Sequence, residues 1–220
     1  ARTAPWQAIV ASRSSRARCT TWLASSCDSS ASTARTSSTR SASGSALGRL
    51  GGVDYDLDRY DDARASFARA LPMWTELHQL SPDNVQWQSS LATAHYNVGL
   101  GEDVAERVPA ALAAFAQAAA LVRPLAETRP AAAVSLCDFL GAQARSALRL
   151  RQYPEALAAV DEALTVTRRW HRTDSSPRWL GTEAALLLNR AEIASEMHDQ
   201  AQLIEALREQ VRVLENARTA

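Results

Sequence analysis

Landmark residues recur along this chain about every 47 positions, and that spacing limits the fold more than any other feature. Pro82, Pro130 and Pro177 stand 48 and 47 residues apart. Ala63, Ala111, Ala156 and Leu203 follow at steps of 48, 45 and 47, and Trp87 and Trp179 are separated by 92, close to two periods. A repeat of this length is one supersecondary unit that cannot bury its apolar edge alone, so the units must stack into a solenoid.

The texture within each period is helical. Alanine and leucine dominate the apolar residues, and neither is β-branched. Ala63, Phe67 and Ala70 fall at i, i+4 and i+7, one stripe of a helix. Ser81-Pro82-Asp83-Asn84 reads as a helix stop followed by a capped start, and Pro109 and Pro154 suit the first turn of a helix. The expected architecture is all-α, a solenoid of four antiparallel helix hairpins over 46–80, 84–128, 131–172 and 178–217. Two features weaken the first hairpin. Gly48, Gly51 and Gly52 each cost roughly 1 kcal/mol against alanine in a helix, and Pro72 should kink the second helix.

Residues 1–45 read differently. They carry six arginines against one acid, Asp28, and no period survives beyond a few residues. Such a stretch buries too little apolar area to offset its ordering entropy, so it is expected to be disordered. A targeting peptide, a linker from an upstream domain and an out-of-frame segment all share this composition. From Ala46 onward 18 arginines face 23 acids, with no basic stripe of the kind that neutralises phosphates, so nucleic acid is not an expected partner. Lysine is absent, and no continuous apolar run of about 18 residues predicts a membrane span. Cys19, Cys27 and Cys137 lack metal or disulfide spacing, which fits a reducing cytoplasm.

Several segments resemble the tetratricopeptide repeat family in a long-period bacterial form. His95-Tyr96-Asn97-Val98-Gly99 is similar to the opening of that motif, and Ala111, Phe115 and Ala118 match its second-helix signature. Arg59 to Ala63 with Phe67 and Ala70 match the same part, as do Arg151 to Ala156 with Val160 and Ala163. The fourth unit departs from the pattern, with Leu203, Leu207 and Gln210 in place of Ala, Phe and Ala. The period exceeds the family's usual 34 residues, and HEAT-like repeats share the greater length.

The resemblance implies a right-handed superhelix whose first helices line a concave groove. By register that groove displays Tyr55, Asp56, Tyr96, Asp103, Asp138, Arg145, Arg149 and Glu192 as partner-binding candidates. The function so implied is non-enzymatic: a scaffold holding a peptide or partner protein. The alternative is a C-terminal regulatory tail of a larger bacterial signalling enzyme, a Ser/Thr kinase or signalling NTPase. The charged last helix suits a solvent-facing cap, whereas the uncapped first hairpin suggests missing upstream units or self-association. The sequence carries no recognisable catalytic or cofactor-binding pattern. The four histidines have no zinc spacing, Gly99-Leu100-Gly101 lacks the rest of a dinucleotide loop, and Asp54 to Asp62 is not a calcium loop. No cofactor or metal is therefore expected.

Overall fold

The computed structural model describes residues 36–174 and 176–219, and expectations about residues 1–35 lie outside that range. Residues 36–43 are helical and form the described part of one unit, while everything from Gly44 onward forms a second. Among the described residues helix is therefore already present ten residues before Ala46, inside the stretch expected to be disordered. Thr36 to Ser43 holds no glycine or proline, and the helix propensities of Ser and Thr fall only about 0.5 kcal/mol below alanine, too little to forbid a helix.

In the second unit α1 covers 44–56. It is followed by α2 (Tyr60–Leu80), α3 (Val85–Val104), α4 (Val108–Ala126), α5 (Pro130–Arg149), α6 (Tyr153–His171), α7 (Pro177–Glu196) and α8 (Gln200–Thr219). Among the described residues there is no strand. From α2 to α8 each helix packs on the next in chain order, which makes the unit an α-solenoid of antiparallel hairpins.

Every hairpin turns the same way. Asp58, Glu106, Arg151 and His198 all have φ between 55° and 59°, and they recur at steps of 48, 45 and 47. The next residue's N–H reaches back five residues at 2.8–2.9 Å in all four turns: Arg59 to Asp54, Arg107 to Glu102, Gln152 to Ala147 and Asp199 to Ala194. The left-handed residue itself bonds three residues back. This pair of bonds is a Schellman motif, which satisfies the last carbonyls of the first helix. In the first two turns a side chain repeats the backbone bond, because Arg59 pairs with Asp54 and Arg107 with Glu102. None of the four left-handed residues is glycine.

Helix starts are less uniform. Asn84 caps α3 by accepting from the N–H groups of Gln86 and Trp87. Pro130 and Pro177 open α5 and α7, whereas Pro82 lies in the loop before α3 and is not their structural counterpart. Helix α2 continues through Pro72 to Leu80.

Along the stack the core sets large side chains between small ones, in three clusters of buried residues. Gly51 and Gly99 occupy the same position in α1 and α3, and each makes room for one ring. A Cβ on either would stand 2.5 Å from Phe67 or Phe115 respectively. Gly51 thus admits Phe67, so its cost in helix propensity is offset by packing. In the third hairpin Ala144 takes the glycine's place, and the smaller Val160 takes the phenylalanine's. Trp179 is fully buried and stacks on Trp170 with centroids 6.2 Å apart, while its indole N–H donates to Asp174 at 2.9 Å. Helix α4 is long and apolar enough to cross a membrane, a property hidden in sequence by its scattered prolines, Gln117 and Arg123. Here Ala111, Ala114, Ala118, Ala119 and Ala126 are buried in the solenoid core with Phe115 and Val122, while the opposite face of the helix is exposed.

Candidate functional site

Stacking divides the helices into two layers. Helix α5 touches both α3 and α7, so these odd-numbered helices form a contiguous inner layer. The even-numbered helices are tied more loosely, through long side chains such as the Arg123–Glu162 pair between α4 and α6. Side chains of the inner layer that face away from the even helices line two clefts.

The first cleft, of about 420 Å³, lies between α1 and α3 with α2 beneath it. Phe67, Ala70 and Trp74 make an apolar floor, and Ser90, Thr93 and Asn97 supply a polar wall. Gly44 and Gly48 shape the opposite wall. A Cβ at Gly44 would stand 2.9 Å from the Trp74 indole, so glycine brings the α1 backbone against the ring. This cleft leaves little mark in the sequence, because its walls are mostly glycine, serine and threonine and its aromatic floor reads as ordinary core. The only hint was that Ser89, Ser90, Thr93 and Asn97 put hydroxyl and amide groups on one face of α3.

The second cleft, of about 440 Å³, is formed by α3, α5 and α7 and is lined by Tyr96, Asp138, Arg145, Arg178, Thr182 and Asn189, among others. Three groove candidates therefore meet here: Tyr96, Asp138 and Arg145. Tyr96 leans on Phe139 with centroids 4.8 Å apart and on Phe115 at 5.5 Å, which fixes its ring as one wall. Burial raises the Tyr96 pKa, with a smaller push from the Asp138 carboxylate. Loss of hydration likewise raises the pKa of Asp138 although its residue is exposed, and Arg145 pulls it back down. The cleft combines an aromatic face, a carboxylate and two guanidinium groups.

The other candidates separate. Tyr55 is half-buried and meets Tyr60 edge-on at 5.5 Å. Asp103 and Arg149 are paired with each other at 2.5 Å, and Arg149 also holds Glu106 at 2.6 Å, so both are engaged between neighbouring turns. Asp56 and Glu192 are exposed on α1 and α7 and line neither cleft.

Burial sets the remaining chemistry. The Cys137 thiol is buried beneath the second cleft, and burial pushes its pKa up to about 11, outweighing the contact with Thr167 Oγ1 at 3.3 Å. It stays protonated at neutral pH and is a poor nucleophile. Burial lowers the pKa of His95. Among the described residues no group of three or more His, Cys, Asp or Glu side chains is placed to hold a metal ion.

No family model matches the chain, and no curated protein matches it. Among solved structures it is similar to the crystal structure of BtubC (BKLC) from P. vanneervenii, with a TM-score of 0.65 at 11% identity over 80% of this chain. The chain spans 65% of the length of that structure. At this identity the likeness shows a shared helical-repeat fold.

Proposed function

We propose that this chain is a non-enzymatic interaction module of tetratricopeptide type that holds an extended segment of a partner protein along its inner helical layer. The observation that carries this reading is the pair of clefts on the odd-numbered helices, one with an apolar floor and one with opposed charges. An extended peptide presents alternate side chains to such a surface. Its preferred ligand carries a large apolar side chain for the Trp74 floor. A few residues away it carries a charged or amide group for Asp138, Arg145 and Arg178.

A displayed library of random peptides tests this with no known partner. Panning on the full chain is expected to enrich one motif of that kind. Arg145→Glu and Asp138→Arg change exposed residues, and Gly48→Phe projects a ring into the first cleft. Each should weaken the enriched peptide about tenfold or more, whereas Gln117→Arg on the outer layer should leave binding unchanged. Failure to enrich any motif, or a motif equally sensitive to Gln117→Arg, contradicts the proposal.

A further inference from the structure

Counting from each left-handed turn residue brings equivalent positions of the hairpins into register. On this count the two clefts are one site built twice. The α3 wall of the first and the α7 wall of the second consist of the same six positions, 9, 12, 13, 16, 17 and 20 residues before the turn. Asn97 and Asn189 stand at the first of these, and Ser90 and Thr182 at the fourth. The facing walls, from α1 and α5, share positions 10, 13 and 14 before the turn, and position 10 is glycine in both: Gly48 and Gly141. A Cβ at Gly48 would meet nothing nearer than Asn97 at 3.9 Å, and one at Gly141 nothing nearer than Asn189 at 3.6 Å. Each position therefore has room for a side chain that the chain does not supply.

The junction between the two clefts, α3 against α5, shows what fills that room. Here position 10 is Tyr96 instead of glycine. Its ring stacks on Phe139, position 12 of α5, with centroids 4.8 Å apart, and tilts against Phe115 of α4 at 5.5 Å. Phe115 corresponds to Phe67 on the floor of the first cleft, each nine residues beyond its turn. The counterpart of Phe139 in the first cleft is the much smaller Ala94. A ring from outside the chain thus finds over Phe67 the seat that Tyr96 takes over Phe115.

We infer that the two clefts take two anchors of one extended partner segment, an aromatic ring in the first and an acidic side chain in the second, about five or six residues apart. The inference rests on the interaction-module reading above and adds the order and spacing of what is bound. Phe67 and Trp74 give the first cleft its aromatic floor. In the second cleft Arg145 and Arg178 outnumber the single carboxylate, Asp138, so a negative charge is favoured there. The clefts lie two inner-helix steps apart. At an ordinary packing distance of about 8–10 Å per step this is roughly 16–20 Å, which an extended chain covers in about five or six residues. The residues between the anchors cross the junction that Tyr96 already fills, so no third anchor is expected midway.

A displayed library carrying one Phe and one Glu, separated by one to nine glycine or serine residues and panned on the full chain, tests the spacing. Enrichment is expected to peak where the two lie five or six positions apart, about tenfold above pairs two or three positions apart, because a linker serves two sites best when it matches their span. Gly48→Tyr and Gly141→Tyr each plug one cleft as Tyr96 plugs the middle junction, and either should abolish the spacing preference. Both should melt no lower than the wild type, since each replaces a helical glycine at a position with room for the ring. Equal enrichment at every spacing overturns the inference. So does a preference that survives Gly141→Tyr, and so does a Gly48→Tyr or Gly141→Tyr chain that melts below the wild type. A random library that yields a motif with one anchor, or with two at another spacing, overturns this inference and leaves the module reading standing. One that yields no motif overturns both.

Discussion

Helices α4 and α8 are both second helices of a hairpin, and they meet opposite fates. Helix α4 is covered by hairpins on either side, and its Phe115, Ala118, Ala119 and Val122 are all at most 2% exposed. Helix α8 is covered on one side alone, where Ala206 and Val213 turn inward, and leaves Ile204, Leu207, Val211 and Leu214 41–53% exposed. One repeat pattern thus gives a core where hairpins flank it on both sides and an exposed apolar stripe where one side is open. Stability in such arrays is close to a sum of unit and neighbour-interface terms, so identical chemistry should differ sharply in its worth between these two places.

The largest expected effect follows directly. Phe115→Ala should destabilise the protein by about 3–5 kcal/mol, the range for truncating a buried phenylalanine. Leu207→Ala at the equivalent position of α8 should change stability by about 0.5 kcal/mol or less at concentrations where the chain is monomeric. Urea titrations of the two variants break the comparison if they shift alike.

Next come changes to the glycine seats. Gly99→Ala should cost about 1–3 kcal/mol by overpacking against Phe115. Adding Phe115→Val should recover part of the Gly99→Ala cost, since the third hairpin already uses the Ala144 and Val160 combination. A double variant that is merely additive would show that ring and glycine are not coupled.

The ion pairs sharpen the contrast further. Arg168 bridges Glu183, which is buried, and Glu209. Arg168→Met strands the Glu183 carboxylate and should cost about 1–3 kcal/mol. Arg123 and Glu162 are about half and one-third exposed, and Arg123→Met should cost less than about 1 kcal/mol. Thermal melts of both variants check the order.

Two smaller effects act on local strain and on titration. Arg151→Gly relieves a side chain held at φ 58° and should stabilise by about 0.5–1 kcal/mol. For His95, burial favours the neutral ring, so the unfolded chain takes up a proton more readily than the folded one. Its contribution is fully present above the ordinary histidine pKa of 6.5 and is lost as pH falls below it. His95→Gln should flatten that slope in melts recorded between pH 7 and pH 5.

The repeat was legible because its period is written in side chains: Ala63, Ala111 and Ala156 at the tight contacts, and Pro109 and Pro154 in first turns. The turns themselves were not. Their left-handed residues are Asp, Glu, Arg and His, held in place by backbone bonds to the preceding helix rather than by a glycine that sequence reading would notice. Gly51 looked like a weakness because its ring partner, Phe67, lies on the other helix of the hairpin. At the candidate site, register placed Tyr96, Asp138 and Arg145 on one surface. It could not foresee that Asp103 and Arg149 spend their charge on each other. It also passed over the cleft above Trp74, whose walls lack any residue type that signals binding.

Hydrogen exchange by mass spectrometry on the monomeric chain tests the stacking account most directly. Amides of α3 to α6, covered by hairpins on both sides, are predicted to exchange slowest, with protection falling through α7 to its lowest in α8. Equal protection of α8 and α4 at monomeric concentration would contradict the claim that each hairpin depends on its neighbour for burial.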